Sequence, residues 1–571
     1  MVRKRPYRLQ VFLLIASFIL TGAERWAPAQ TQRDRRTSSQ SQSATPAPTP
    51  ASPSASQTQT QQASPSPTPA QPRVATTTKT LAELQTRIVE ILRKPDLAAA
   101  MVGIKVVSLD TGKVVFEENA NKLLRPASNM KLYTVATALD RLTPEFRFTT
   151  SVYAPGKPDA AGVVHGDLTI YGRGDPSIAA RFNNGDYFKG IDDLATKIAA
   201  AGVKRIKGDL IGDESYFTGP QYGSGWEWED LQWYYGAEVS ALTVNDNALD
   251  LFIKPGQQVG APALVTTGPA DPLLTIVNHV TTAAKGTRRT LTVHRGLGEN
   301  TLELSGAIPL DDRGYTGGVG ISHPALLFVY LLRSSLAAHG VIVTGKSRTA
   351  GEVNQSLLTA GATVTSAAHG TSEPVSSLIE IASMESPPLS IVAAQTLKPS
   401  QNLYTELILR TLGKVVQPLA APANKSRTAE DSGIEVVKTF LKEAGLNPDA
   451  LVLTDGSGLS RNDMVTAEAT VQLLTYMSKH KYANALREAL PIAGVDGTLR
   501  NRFRGTVAEN NVRAKTGSLA SAASLSGYVT TAAGENLVFS IMVNNYPPDV
   551  EPRTICIDPI AILLASFAGR T

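Results

Sequence analysis

From Leu81 onward, the spacing of apolar residues changes in a readable way. Leu81, Leu84, Ile88, Ile91 and Leu92 recur three or four apart and predict a helix over Leu81 to Leu92. Met101 to Ser108 and Val114 to Glu118 flank the turn Asp110-Thr111-Gly112-Lys113 and read as a β-hairpin. Ser128 to Leu142 returns to helical spacing. Near the other end, Val512 to Lys515, Leu525 to Val529 and Leu537 to Asn544 are strand-like, with Gly- and Ala-containing turns between them. Ile557 to Phe567 predicts a closing helix. Helices and antiparallel strands from both chain ends can therefore share one α+β domain. The middle, about 149–371, mixes short strands (Leu168 to Tyr171, Leu291 to Val293) with helices over Ile191 to Ala201 and Pro324 to Ala338. It is long enough for an inserted domain or two.

The first 80 residues show no such periodicity. Arg3, Lys4, Arg5 and Arg8 precede an apolar run, Val11 to Leu20, which is too short to span a bilayer. Ala27-Pro28-Ala29 then offers a cleavage site, so residues 1–29 read as an export signal; an uncleaved anchor is the other reading. Leu20-Thr21-Gly22-Ala23 is shaped like a lipoprotein box, but Ala23 occupies the place of the lipid-bearing cysteine. Thr37 to Pro72 contains only Ser, Thr, Pro, Ala and Gln, including eight prolines. Such a segment buries nothing, and residues 30–79 are expected to form a disordered tether. The folded part is accordingly expected outside the cytoplasm, periplasmic or otherwise extracytoplasmic, and soluble after cleavage.

Charge changes the picture once it is mapped. The 571 residues carry 55 Lys+Arg against 50 Asp+Glu, a formal +5. Residues 1–80 hold ten basic and two acidic residues, hence +8, which leaves −3 for the rest. The body has no basic footprint for a phosphate backbone, and nucleic acid is excluded as a partner. Cleavage after Ala29 would leave about +1, with a basic tail suited to peripheral contact with anionic membrane or wall. The single Cys556, in an apolar stretch, rules out an intramolecular disulfide framework and reads as a buried thiol.

Several motifs are decoys. Gly340-Val341-Ile342-Val343-Thr344-Gly345-Lys346-Ser347 matches a phosphate loop, but a helix precedes it and none obviously follows, so no nucleotide is expected. The seven histidines, at 165, 279, 294, 323, 339, 369 and 480, include no pair three to five apart, and no metal site is expected. No G-x-S-x-G elbow occurs.

A serine/lysine constellation remains. Ser128-Asn129-Met130-Lys131 is S-x-x-K at a helix start, and the i,i+3 spacing sets hydroxyl and amine on one face. The lysine can act as base only if its pKa is lowered, by desolvation or a second cation. A second copy, Ser478-Lys479-His480-Lys481, lies in a basic run and reads as surface. Lys515-Thr516-Gly517 ends a strand, where the lysine and hydroxyl can hold a substrate carboxylate while Gly517 admits substrate backbone. S-x-N occurs twice between them, as Ser400-Gln401-Asn402 and Ser460-Arg461-Asn462. The ordered set is far more specific than any one member and is that of penicillin-binding proteins and serine β-lactamases.

The surrounding text narrows this. Arg125-Pro126-Ala127-Ser128, Gly174-Asp175-Pro176-Ser177, Ser386-Pro387-Pro388-Leu389-Ser390 and Ser400-Gln401-Asn402-Leu403-Tyr404 take part. So do Asp455-Gly456-Ser457-Gly458-Leu459-Ser460-Arg461, Ala493-Gly494-Val495-Asp496-Gly497-Thr498-Leu499 and Lys515-Thr516-Gly517-Ser518-Leu519. Over about 81–571 the chain resembles the D-alanyl-D-alanine carboxypeptidase/endopeptidase family of low-molecular-mass class C penicillin-binding proteins. The resemblance implies an α+β transpeptidase-like domain, antiparallel sheet flanked by helices, in two parts, 80–148 and 372–571. Between them, 149–371 would be inserted. It implies no cofactor, a peptidoglycan stem peptide as substrate, and β-lactams as covalent inhibitors. In the roles it implies, Ser128 attacks, Lys131 takes the proton and Ser400, supported by Lys515, relays one to the leaving amine. Asn402 bonds the substrate amide, Lys515 and Thr516 hold its carboxylate, and the N–H groups of Ser128 and Ser518 form the oxyanion hole. Alternatives on the same fold are a β-lactamase or a transpeptidase; from another class, a catalytically inactive wall-binding scaffold.

One weaker candidate concerns Trp226, Trp228 and Trp233, with Asp230 and Tyr235 among them. They read either as a packed aromatic cluster or, by the same resemblance, as a segment beside the active site. In the second case Asp230 would meet the cationic end of a dibasic side chain.

Overall fold

Five antiparallel strands drawn from the two ends of the chain form one sheet in the computed structural model, which describes residues 77–269, 273–350, 378–416 and 427–571. Their order is Arg513–Leu519, Ala522–Thr530, Asn536–Asn544, Met101–Ser108, Val114–Glu118. The register pairs Met101 with Asn544 and Val107 with Val538, so the first strand of the hairpin lies against the last strand of the chain. Alternation assigns the faces. Leu537, Phe539, Ile541 and Val543 pack with the helices Leu81–Leu92 and Asp558–Ser566. Val538 and Met542 point the other way, into a helical core built from Met130–Leu142, Leu389–Leu397, Asn402–Val415, Ala429–Glu443 and Ala467–Ser478. The observed architecture is the expected α+β one.

The helix Met130–Leu142 is buried on nearly every side, which its sequence permits because Leu132, Val135, Ala136, Ala138 and Leu139 leave few polar positions. A 3₁₀ turn, Ala127–Asn129, precedes it, so Ser128 stands on the turn rather than inside the helix. Lys515-Thr516-Gly517 was expected at a strand end. The strand runs on through Leu519, which sets the motif mid-strand on the edge of the sheet.

The middle of the chain has its own core, from Val152 to Val341. Its main sheet has the order Ser347–Thr349, Leu210–Asp213, Leu168–Tyr171, Thr149–Ala154, Ile379–Glu385. The expected boundary at 371 falls outside the described residues. The strand beyond it, Ile379–Glu385, pairs antiparallel with Thr149–Ala154, so the strand leading out of this region lies beside the one leading in. The phosphate-loop look-alike is built as strand: Ile342–Val343 and Ser347–Thr349 pair in parallel with Arg205–Ile206 and Leu210–Asp213. The export signal and almost all of the tether lie outside the described residues. Order nevertheless begins before residue 80, since Thr78 is buried and its carbonyl accepts from Ala568 N at 2.9 Å. Cys556 is buried, and burial pushes its thiol up to about 12.

Candidate active site

Lys131, fully buried, is one turn along from Ser128. Its Nζ lies 3.0 Å from Ser128 Oγ, 2.6 Å from Asn402 Oδ1 and 2.7 Å from the Ser457 carbonyl oxygen. Asn402 Oδ1 and the Ser457 carbonyl oxygen can only accept, so they take two N–H groups. A neutral amine has two N–H groups and one lone pair, and the lone pair is then left for the Ser128 hydroxyl proton. The electrostatics agree. Burial drives the lysine down from 10.5 to about 7, against the opposing pull of Asp455, Glu406 and Asp463.

Lys515 is the second fully buried lysine. Its Nζ donates to Ser400 Oγ at 2.8 Å and to its neighbour's carbonyl, Thr516 O, at 2.9 Å. Burial, then the charge of Lys131, hold it well below 10.5. Thr516, half-buried, donates its hydroxyl to Thr498 Oγ1 at 2.8 Å, and Ser518 is exposed on the same strand. Gly517 was expected to make room for substrate. What it makes room for is the chain itself: a Cβ there would come within 2.1 Å of Ser524 Oγ and 2.5 Å of the Pro126 carbonyl. Gly517 thus lets the nucleophile turn lie on the edge strand.

Two residues beside the reactive groups hold left-handed backbone without being glycine, Ala127 at φ 48° and Ser400 at φ 67°. Such conformations persist only where the surroundings enforce them, and they gather at functional sites. Of the two S-x-N copies, Ser400 and Asn402 are the ones brought to the lysines. The other, Ser460-Arg461-Asn462, closes on itself, with Asn462 N donating to Ser460 Oγ at 3.2 Å. The Ser478 hydroxyl caps its own helix on Thr475 O, with Lys479 and Lys481 exposed, as a surface copy should be.

The tryptophan segment departs from both expectations. Trp228 is 66% exposed, Trp233 packs on the core of the middle region, and Trp226 donates its indole N–H to Asp455 Oδ2 at 2.7 Å. They form no single cluster. Asp230 is buried and accepts from Arg461 Nη1 at 2.9 Å and from Tyr235 Oη at 3.3 Å. Its carboxylate is therefore already met by the guanidinium, which is not the open anion expected to receive a substrate cation. Tyr235 reaches the centre through its backbone: its carbonyl accepts from Asn402 Nδ2 at 2.8 Å. Asp455, Glu406, Thr498 and Arg461 were not singled out from sequence. The D-G-S-G-L-S-R stretch was the signal that held two of them.

A serine against a lysine that burial lowers to about 7, with a second buried lysine on an edge strand, is an arrangement suited to active-serine acyl transfer, on a penicillin-binding and β-lactamase type of fold. The comparisons specify it further. The model of the D-Ala-D-Ala carboxypeptidase 3 (S13) family matches residues 84–356 and 346–566. A D-alanyl-D-alanine carboxypeptidase of Actinomadura sp. (strain R39) is 34% identical over 501 residues, 86% of each chain. D-alanyl-D-alanine carboxypeptidase DacB of Haemophilus influenzae is 25% identical, covering 79% of this chain and 87% of its own. The crystal structure of penicillin binding protein 4 (dacB) from Haemophilus influenzae superposes with a TM-score of 0.68 at 22% identity, over 83% of this chain and 97% of that one. The chain belongs to the D-Ala-D-Ala carboxypeptidase 3 (S13) family and is a serine peptidase of that class. Among the described residues no helix is long and apolar enough to cross a membrane.

Proposed function

We propose that this protein hydrolyses the bond between the two terminal D-alanines of peptidoglycan stem peptides, through an acyl-enzyme on Ser128. Lys131 Nζ takes the Ser128 proton as Oγ bonds to the carbonyl carbon. The tetrahedral oxyanion sits against the N–H groups of Ser128 and Ser518. As the C–N bond breaks, Ser400, held by Lys515, gives its hydroxyl proton to the departing D-alanine nitrogen and takes up in its place the proton that Lys131 removed from Ser128. Lys515 and Thr516 hold the terminal carboxylate. Arrival of that anion favours the ammonium form of Lys515, which burial otherwise disfavours. Asn402 has one Nδ2 hydrogen left for the substrate amide once Tyr235 O is satisfied. Water then cleaves the ester: Lys131 takes a proton from the water as its oxygen bonds to the carbonyl carbon, and passes that proton to Ser128 Oγ as the ester C–O bond breaks.

The observation that carries this reading is the three-way environment of Lys131 Nζ, which suits a free-base amine beside a serine hydroxyl. The same geometry presents Ser128 to a β-lactam ring, and penicillins are proposed as covalent inhibitors; the Haemophilus influenzae structure has also been solved complexed with a beta-lactam. We further propose that residues 149–371 are an insertion between the two catalytic parts, and that 1–29 exports the chain; the basic run, apolar run and cleavage site support export. The test is Ser128→Ala. Release of D-alanine from a stem pentapeptide and covalent labelling by fluorescent penicillin are both expected to vanish; labelling that persists would overturn the assignment.

A further inference from the structure

The turn behind Lys131 carries a carboxylate with no part in the chemistry above. Asp455 is fully buried and accepts from five donors. Oδ1 takes Gly458 N at 2.6 Å. Oδ2 takes Ser457 Oγ at 2.8 Å, Leu459 N and Ser460 N at 3.1 Å each, and Trp226 Nε1 at 2.7 Å. Four donors come from the next five residues and fold the chain tightly around the carboxylate. The fifth comes from the middle region, 229 positions away in sequence.

That turn is fitted to the nucleophile. Ser457 supplies the carbonyl at 2.7 Å from Lys131 Nζ, and the Gly456 carbonyl accepts from Thr134 Oγ1 at 2.8 Å on the same helix. Gly458 has φ +75°, and a Cβ on it would come within 1.9 Å of the Ala127 carbonyl. On the far side, a Cβ on Gly225 would come within 2.4 Å of Ser460 Oγ. The turn is thus wedged between the serine helix and the segment that carries Trp226.

We propose that Asp455 is a positioning residue for the acylation step: it aims the Ser457 carbonyl at Lys131 and, through the Trp226 indole, couples the middle region to proton transfer at Ser128. This rests on the reading of Ser128 and Lys131 given above. Lys131 is faced by Asp455, Glu406 and Asp463, with Lys515 as the nearby cation; Asp455 is faced in turn by Glu406, Asp463, Lys131 and Glu430, the last beside Arg410. Among the carboxylates, Asp455 is the largest opponent of the burial effect on Lys131.

The sign of two substitutions follows. Asp455→Asn removes negative charge near Lys131, so the ammonium loses stabilisation and the acid limb of kcat/KM moves to lower pH. Misaiming the carbonyl should also lower kcat, by about 10- to 100-fold. Trp226→Phe keeps the ring and removes one donor, leaving the carboxylate's charge less compensated, so the acid limb moves to higher pH. The experiment is a pH profile of D-alanine release and of fluorescent-penicillin acylation for the full chain and both variants. Opposite shifts of the two limbs support the proposal, and the Trp226→Phe shift supports it alone if Asp455→Asn fails to fold. Limbs that stay in place, or move the same way, overturn it, because a merely structural role changes amplitude and leaves the pH dependence alone. Ser128→Ala in the same labelling assay separates this outcome from failure of the underlying assignment.

Discussion

Lys131 and Lys515 are both fully buried lysines beside a serine hydroxyl, yet their surroundings differ in kind. Lys131 rises from the serine helix into a wall that holds Asp455, Glu406 and Asp463. Lys515 projects from the edge strand towards Ser400, and the charge it feels most is the like charge of Lys131. Burial lowers both, but only the first is partly rescued by carboxylates. The difference teaches how one cleft can suit two lysines to the separate tasks proposed for them. One is tuned towards neutral pH and shares its proton readily. The other is held well below its ordinary value by burial and by its fellow lysine, so an entering anion favours its charge, which suits the carboxylate anchor proposed for it.

The contrast can be broken first at Lys131. Replacing it with methionine should lower acylation by about 10²–10⁴-fold for every substrate, whether or not it carries a free carboxylate. Stopped-flow acylation by penicillin and by an ester substrate checks this. Next in size is the pH response. Because the free enzyme must hold Lys131 unprotonated, kcat/KM should fall tenfold for each pH unit below about 7. An acid limb near the ordinary lysine value would remove the basis for its role. Lys515→Met should cost about 10²-fold in kcat/KM for peptides ending in a carboxylate, and markedly less for the matching C-terminal amides. Equal losses would erase the division of labour.

Stability offers a further test. The unfolded Lys131 titrates near 10.5 and the folded one near 7, so between those values the unfolded chain holds more protons and stability rises with pH. Below 7 the full penalty applies, on the order of 5 kcal/mol at ~1.4 kcal/mol per tenfold. Lys131→Met should therefore raise the melting temperature at pH 7 by a few degrees, partly offset by the loss of a cation near Asp455. The gain should shrink as the pH approaches 10.5, and differential scanning calorimetry at several pH values measures it. The smallest expected effect is that of Glu406→Gln. Burial and neighbouring Asp455 push Glu406 well above the usual carboxylate range, so losing its charge should change little, and Gln keeps the acceptor for Gly456 N at 2.9 Å. Activity within about twofold of the parent is expected across the profile.

These groups were unequally legible in the sequence. Ser128 and Lys131 are three residues apart on one helical turn, so local periodicity sufficed to pair them. The edge strand bearing Lys515 was visible from alternation, though its continuation through Leu519 was not, because Gly517 interrupts the strand pattern. Choosing Ser400 and Asn402 over Ser460 and Asn462 needed the wider family text. What remained hidden is made by backbone atoms across long separations. The carbonyls of Tyr235 and Ser457 carry no side-chain signature, and the Trp226–Asp455 bond joins residues that neither spacing nor charge links. Asp230 misled because a carboxylate in text does not reveal whether an arginine already faces it. The antiparallel pairing of Thr149–Ala154 with Ile379–Glu385 was equally unreadable, since short strands do not announce partners.

The pairing of Met101–Ser108 with Asn536–Asn544 has a consequence in time as well as in space. The strand made early sits in the sheet interior, between Val114–Glu118 and a strand synthesised near the end of the chain. Until that late strand arrives, the early hairpin presents an open hydrogen-bonding edge and an uncovered apolar face. Closing a loop of such length carries an entropic penalty that grows only slowly with size, but the search it imposes slows folding. The serine turn rests on strands from this late group through Ser524 and Gly517. The serine turn therefore cannot be assembled until the strands Arg513–Leu519 and Ala522–Thr530 are in place.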